Sequence, residues 1–416
     1  MKQNICYAQS GGVTAVINAT AGAILTAARK SSAVDKVYAG KNGILGILQE
    51  ELYETWHESN ETVRALRHTP GGAFGSCRIK LPNPSENLAP YQRLLDVFRA
   101  HHIGSLLYNG GNDSADTSLK IAAAMKTLGG DINCIGIPKT IDNDLPATDC
   151  CPGFGSVAKY VAVSTAETTL DIAAMARTST KVFILEVMGR HAGWIAAAAG
   201  LSNENNGPLM IIFPEVPFNP PAFIAALNKR IRAHGYAVVV VSEGAKNANG
   251  HFLTSSGDSD NFSHQQLGGV APYIANLVKQ NINVKCHWAV ADYLQRSASH
   301  LVSATDLEQA EAVGTAAVAL AASGATSVMP VIWRLCESPY QWEISTAPLK
   351  KIANRERKLP MSFISADKYF ITPACRRYLA PLISGESYPT YQNGLPCFAE
   401  LKNILTKKQL PAYTHC

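Results

Sequence analysis

Short, almost uninterrupted apolar runs alternate along this chain with Ala-rich, helix-like stretches. Nearly every apolar run stops at a Gly-rich or charged turn. The apolar runs are 4–9, 103–108, 132–137, 181–187, 209–213 and 237–241. The helix-like stretches are 18–30, 116–128, 156–177, 191–199 and 221–233. A strand that faces water on one side alternates polar with apolar residues, whereas one covered on both faces does not. The pattern therefore predicts an α/β fold with mainly parallel sheets. In such folds ligands bind beyond the carboxyl ends of the strands, where the Gly-rich and charged turns lie. From about residue 345 the order breaks down into irregular sequence with prolines and tyrosines, read as a C-terminal extension (346–416) packed on the core.

Composition narrows the function classes. Lys plus Arg exceed Asp plus Glu by 37 to 32 over 416 residues, and no basic run stands out, so a nucleic-acid-coating role is excluded. Hydrophobic residues at 47% and charged residues at 17% exclude a disordered chain. No apolar stretch approaches the ~20 residues of a membrane span, and the N-terminus lacks a signal-peptide h-region. The ten cysteines show no CxxC spacing and no Cys/His ladder, which argues against a zinc site and for reduced cytoplasmic thiols.

Three strand-to-helix turns point to phosphate chemistry. The first is Ser10-Gly11-Gly12, where Gly permits close backbone approach and a helix N-terminus would offer N–H groups to an anion. The second is Asn109-Gly110-Gly111-Asn112-Asp113-Ser114, in which Asp113 could cap a helix, touch a metal or exclude a bulky ligand. The third, Pro138-Lys139-Thr140-Ile141-Asp142-Asn143-Asp144, is the most informative. One carboxylate of such a pair can accept a hydroxyl proton while the other supports Mg²⁺, and lysine supplies a point charge for phosphate oxygens. Polar density so great right after a buried strand outweighs the simpler reading of a solvated turn. Met188-Gly189-Arg190, Glu243 and Tyr293-Leu294-Gln295-Arg296 occupy further turns. Together with Arg78, Lys181 and Lys285 they form a set able to hold phosphates at two points.

In motif order from Ile5 to Val318 the chain resembles the phosphofructokinase family, specifically its pyrophosphate-dependent branch. Residues 138–144 are the most specific match, followed by 188–193 and 293–296. The resemblance implies two Rossmann-like lobes with the active site in the cleft between them. Residues 1–155 with 299–345 would form the phosphoryl-donor lobe and 156–298 the sugar-phosphate lobe. It implies Asp142 as the general base toward the sugar 1-hydroxyl, Asp144 as a Mg²⁺ residue, and Thr140 at the transferring or sugar phosphate. Met188, Gly189, Arg190 and Glu243 would line the sugar site. Tyr293 and Arg296, with Lys285 assigned less closely, would hold the 6-phosphate. Gly11, Gly12, Arg78 and Ser114 would surround the donor, and Lys181 would reach a neighbouring subunit's site in a homodimer or homotetramer.

The donor is argued from two positions. Where ATP-using relatives carry Gly, this chain has Asp113 and Lys139. A carboxylate at Asp113 would repel an adenosine α-phosphate, and Lys139 would fill the space and bind pyrophosphate, a case of specificity by exclusion. Val16 is expected to narrow the approach to the first loop. Asn112 stands where the family usually has Asp, and an amide is a poorer Mg²⁺ partner, so Asp113 and Asp144 would share the metal with it. The first helix lacks the arginines that allosteric bacterial members use. The expected reaction is Mg²⁺-dependent, reversible transfer from pyrophosphate to fructose 6-phosphate, with sedoheptulose 7-phosphate as a possible second acceptor. The competing readings are an ATP-dependent kinase of the same fold and a silent regulatory subunit. NAD and lipid kinases share a Gly-Gly-Asx loop but lack the other motifs.

Overall fold

The computed structural model describes residues 2–205, 207–254 and 267–414. Among them the strands of the two larger sheets, in chain order, are β1 (Gln3–Ser10), β2 (Val34–Gly40), β3 (Leu52–Glu54), β4 (Ser76–Cys77), β5 (Ile103–Gly110), β6 (Asn133–Pro138), β7 (Val182–Val187), β8 (Leu209–Ile212), β9 (Ala237–Ser242), β10 (Cys286–Val290), β11 (Val328–Glu337) and β12 (Tyr340–Pro348); Tyr391–Gln392 and Leu395–Pro396 form a small pair in the extension. The helices of twelve or more residues are α1 (Ile17–Lys30), α2 (Ala89–Ala100), α3 (Asn112–Thr127), α4 (Phe154–Met175), α5 (Pro220–His234), α6 (Val270–Ile282) and α7 (Ala304–Ala322).

An eight-stranded sheet runs β12-β11-β6-β5-β1-β2-β3, with β4 also on β1. Its centre is parallel, and both ends are closed by antiparallel pairs, β2 with β3 and β11 with β12. A second sheet, β10-β7-β9-β8, is parallel throughout. The continuous apolar runs have the physical cause read from the sequence. Along β1, Ile5 and Tyr7 enter one core cluster while Cys6 and Ala8 enter another. Along β9, Val238 and Val240 pack on one side and Val239 and Val241 on the other. From Asn4 onward every side chain of β1, and every one of β9, is buried, so neither face meets water.

Local chemistry sets the helix ends. Asn219 caps α5 by accepting from the Ala222 N–H at 3.0 Å, two prolines occupy its first turn, and left-handed Gly235 (φ 86°) stops it. Ser303 caps α7 through the Asp306 N–H. The sequence expectations differ from the fold in three places. β12 continues regular structure to Pro348, so the irregular segment begins later than 345. The helix expected at 191–199 is the single turn-and-a-half Trp194–Ala198. No helix starts at Gly11–Gly12: α1 begins at Ile17, so its N-terminal N–H groups do not serve that loop. Residues 247–266 are polar and rich in Gly, Ser and Asp, a composition that reads as a surface loop, and 255–266 of them lie outside the described residues. Among the described residues no helix is long and apolar enough to cross a membrane.

Candidate active site

The turns that follow β1, β5 and β6 face those that follow β7 and β9 across a cleft of about 520 Å³. Gly11, Gly12, Arg78, Asp113, Ser114, Lys139, Thr140, Asp142, Asp144, Met188, Arg190, Glu243 and Arg296 all line it, although they span almost three hundred residues of sequence. The parallel topology is the cause, because it aligns the carboxyl ends of successive strands.

At one end, cations crowd a glycine pair. The buried Lys139 ammonium donates to the Gly12 carbonyl at 2.7 Å. A Cβ on Gly12 would lie 2.7 Å from Arg296 Nη1 and 3.6 Å from Arg78 Nη2, and one on Gly11 would lie 3.4 Å from Lys139 Nζ. A Cβ at Gly12 would displace the Arg296 guanidinium, and Gly11 has the left-handed backbone (φ 76°) that favours glycine. Burial, then Arg296 and Arg78, push the Lys139 pKa down to about 8. Beside them, Ser114 Oγ donates to Ser10 Oγ at 2.8 Å. Asp113 sits in the first turn of α3 and also lines the cleft. The cap of that helix is Gly111, not Asp113, so the capping reading is set aside. Val16 does not narrow this end. It packs with Ala15, Ala19, Val302 and Leu307, and Val13 is the valine that faces the cleft.

The loop after β6 turns its two carboxylates one way and its asparagine the other. The Thr140 hydroxyl accepts from the Asp142 N–H at 3.1 Å. Asn143 is left-handed (φ 53°) and fully buried, and its amide donates to Tyr378 Oη at 3.0 Å and accepts from the Cys151 N–H at 3.1 Å. Asp142 and Asp144 therefore both face the cleft. Burial raises the pKa of each carboxyl, helped at Asp142 by Glu243 and at Asp144 by Asp142. Asp144 Oδ1 is buried and has no hydrogen-bond partner within the protein. An orphaned carboxylate oxygen among like charges fits a divalent cation. Among the described residues no three His, Cys, Asp or Glu side chains cluster as a closed metal cage. That suits Mg²⁺, which commonly takes one or two carboxylates and completes its shell with substrate phosphates and water.

At the opposite end the loops after β7 and β9 interlock. Ser242 Oγ donates to the Gly189 carbonyl at 2.5 Å, and the Gly189 N–H donates to Glu243 Oε1 at 3.3 Å. A Cβ on Gly244 would meet the Arg190 carbonyl at 2.0 Å, so the close approach needs glycine. Burial pushes Glu243 up to about 6 against the opposing Gly189 N–H and Arg190. Met188 N–H donates to Gln295 Oε1 at 3.4 Å, which ties this turn to the segment carrying Arg296. The Arg296 guanidinium lies 3.7 Å from the centre of the Tyr293 ring. Tyr293 itself is 57% exposed and outside the cleft lining.

Besides Tyr293, two expected residues lie far from this cleft. Lys181 and Lys285 precede β7 and β10, at the amino ends of the strands, where the Lys181 N–H donates to the Lys285 carbonyl at 3.0 Å. A six-residue strand at about 3.3 Å per residue puts them roughly 20 Å from the carboxyl ends. Lys181 Nζ bonds to the Ala176 carbonyl at 2.8 Å and Lys285 Nζ to Ser179 Oγ at 3.3 Å. Placing Lys285 with Tyr293 and Arg296 in one site of one chain is thus corrected by its position across the sheet.

Other lining residues escaped the sequence reading. His191 and Ala192 lie inside the 188–193 motif and Gly111 inside another, so a local signal existed. Asn354 and Glu356 belong to the C-terminal extension and have none. The extension also gives Asn112 an explanation. Its Oδ1 accepts from the Asn354 N–H at 2.7 Å, and its Nδ2 donates to the Arg355 carbonyl. A carboxylate could not make the second bond, so the amide at 112 ties the extension to α3.

Sequence and structure comparisons bear on the same geometry. The phosphofructokinase family profile matches residues 4–321. A pyrophosphate--fructose 6-phosphate 1-phosphotransferase of Methylococcus capsulatus is 56% identical over 413 residues, 99% of this chain and 98% of that protein. The chain belongs to the phosphofructokinase family. Two solved structures in that family share the whole architecture, extension included. The pyrophosphate-dependent phosphofructokinase of Nitrosospira multiformis superposes with a TM-score of 0.92 at 52% identity, covering 99% of this chain and 100% of that one. That of Marinobacter aquaeolei gives 0.91 at 53% identity, with 100% of both chains covered. Family membership accounts for the cleft between two sheets and for the order of motifs along it.

Proposed function

We propose that this chain is a pyrophosphate-dependent phosphofructokinase. It transfers a phosphoryl group from pyrophosphate to the 1-hydroxyl of fructose 6-phosphate, giving fructose 1,6-bisphosphate and phosphate, and runs in both directions. The carrying observation is the convergence of Lys139, Arg78 and Arg296 on Gly11–Gly12, with Asp113 on the adjoining helix turn. Three cations around a glycine pair suit a compact polyanion, and a carboxylate beside them disfavours the α-phosphate of a nucleotide. The near-complete coverage of same-function relatives supports the reading.

We assign the steps to residues as follows. Lys139, Arg78 and the Gly11–Gly12 loop hold pyrophosphate. Glu243, Met188 and Gly189 orient the sugar and Arg190 and Arg296 neutralise its phosphate, with Tyr293 supporting Arg296; because Arg296 reaches from that segment to Gly12, it serves the pyrophosphate end as well. Asp142 takes the proton as the 1-hydroxyl oxygen bonds to the terminal phosphorus. The bridging P–O bond then breaks and its electron pair leaves with phosphate. Thr140 and Ser114 donate to phosphoryl oxygens. Such transfer depends on alignment and charge neutralisation rather than on covalent chemistry. Asp144 and Asp113 would hold Mg²⁺, which supplies charge neutralisation across the two phosphates when bound; Asn112 acts as a tether. Arg190 and Glu243 lie at one end of the cleft and Lys139 at the other, which fits a donor lobe of residues 1–155 with 299–345 and a sugar lobe of 156–298. Lys181, with Lys285 beside it, would serve the sugar phosphate of a neighbouring copy in a homodimer or homotetramer. The nine described cysteines are free thiols, which fits the cytoplasm.

The test is a matrix of donors against acceptors on the purified single chain with Mg²⁺. Turnover is expected with pyrophosphate and fructose 6-phosphate, and none with ATP. Activity with ATP alone would make it a nucleotide-dependent kinase, faster turnover of sedoheptulose 7-phosphate would change the acceptor, and no turnover at all would support a silent subunit.

A further inference from the structure

The C-terminal extension grips the loop that bears the two carboxylates, and one side chain makes most of the grip. Arg357 Nε and Nη2 donate to the Asn143 carbonyl at 3.2 and 2.9 Å. Its Nη1 donates to the carbonyls of Thr148 and Asp149, each at 2.7 Å. Its own backbone N–H donates to the Asp144 carbonyl at 2.7 Å. The guanidinium lies 4.9 Å from the centre of the Trp194 ring, whose indole N–H returns to the Arg357 carbonyl at 3.1 Å. Tyr378, also from the extension, accepts from Asn143 Nδ2 and donates to the Asp149 carbonyl.

The loop needs such a grip. Asn143 (φ 53°) and Ala147 (φ 63°) both occupy left-handed backbone that non-glycine residues avoid. Conformations of this kind persist only where surrounding contacts over-determine them. Arg357 holds the carbonyl of Asn143 itself and carbonyls on both sides of Ala147, and its planar fork fixes their relative orientation. It acts on the backbone: every bond it makes to this loop is to a carbonyl, while burial, Glu243, Lys139 and Arg190 dominate the charge of Asp142.

We infer that Arg357 is a positioning residue for phosphoryl transfer: through Asn143 and Asp144 it aims both carboxylates, making the C-terminal extension a working part of the active site. The inference rests on the proposed reaction, so wild-type turnover of pyrophosphate with fructose 6-phosphate is the first measurement. Failure there sinks the reaction and leaves the inference without a subject. With wild type active, Arg357→Ala is expected to bind both substrates with KM changed within about threefold while kcat falls about 100-fold, the loss an ångström of misplacement produces. Guanidinium ion, far below denaturing concentration, should recover part of kcat, because the fork can refill the cavity without the chain. Tyr378→Phe is the milder companion, which removes one bond to Asn143 and is expected to lower kcat about tenfold at unchanged KM. An unaltered kcat in either variant overturns the inference. So does a loss in Arg357→Ala that guanidinium does not touch and that follows only the fraction of unfolded protein in circular dichroism. If Arg357→Ala does not fold, the Tyr378→Phe kcat decides.

Discussion

The two sheets of this protein end differently, and the difference says where the site is complete. The eight-stranded sheet is closed by antiparallel partners at both ends, and its loops supply the glycine pair, Lys139, Asp142 and Asp144 within one chain. The four-stranded sheet ends in β10, an open edge strand with His287, Trp288 and Val290 exposed. At its far end Lys181 and Lys285 form a basic pair that no loop of the cleft reaches. The donor side is thus finished by one chain. Among the described residues no strand pairs with the outer side of β10, and under the proposed function that edge is where a second copy would meet Lys181 and Lys285.

The most severe way to probe the finished side is Asp142→Asn. It keeps the shape and removes the base, so kcat should fall about 10³- to 10⁴-fold with both substrates still binding. Near-normal turnover would remove Asp142 from the mechanism. The sharing of the other side is probed by Lys181→Ala, for which KM for the sugar phosphate should rise about tenfold or more as a charge-assisted contact is lost. Co-expressing it with Asp142→Asn should rebuild intact sites in mixed oligomers, roughly a quarter of the wild-type number for a two-fold dimer. If the mixture stays at the level of its parents, each site belongs to one chain and the contrast between the sheets fails. The smallest effect is on stability. Burial raises the Glu243 pKa from 4.5 to about 6, so ionisation opposes folding: stability is full at low pH and declines as pH rises through 6. Glu243→Gln removes that penalty. The ligand-free variant should be more stable than wild type by about 1–2 kcal/mol at pH 8 and equal to it near pH 4, as thermal unfolding across pH would report.

Much of the finished side was legible in sequence because its signals are local. A buried strand followed at once by Lys139, Thr140, Asp142 and Asp144 has few structural explanations, and parallel topology does the rest. Strands β2, β10, β11 and β12 escaped because their residues alternate or carry charge: β2 reads Val-Asp-Lys-Val, and β10 is exposed at three of five positions. Lys285 was misjudged because sequence proximity to Tyr293 and Arg296 hides the length of the strand between them. Asn112 read as a weakened metal ligand since its partners, Asn354 and Arg355, lie over 240 residues away. Arg357 had no signal at all for the same reason: its targets, 143 to 149, are more than 200 residues earlier. Charge near a strand end announces itself, whereas a bond between distant backbones does not.

That distance also has a meaning in time. A ribosome adds about 5–20 residues per second, so the loop at 143–149 emerges some 10–40 s before the arginine that holds it. During synthesis the nascent chain has the Gly11–Gly12 loop and Asp142 before it has the Arg357 bonds that hold the backbone from Asn143 to Asp149. Catalytic competence arrives late and nearly at once, when the last seventh of the polypeptide closes over what was made first.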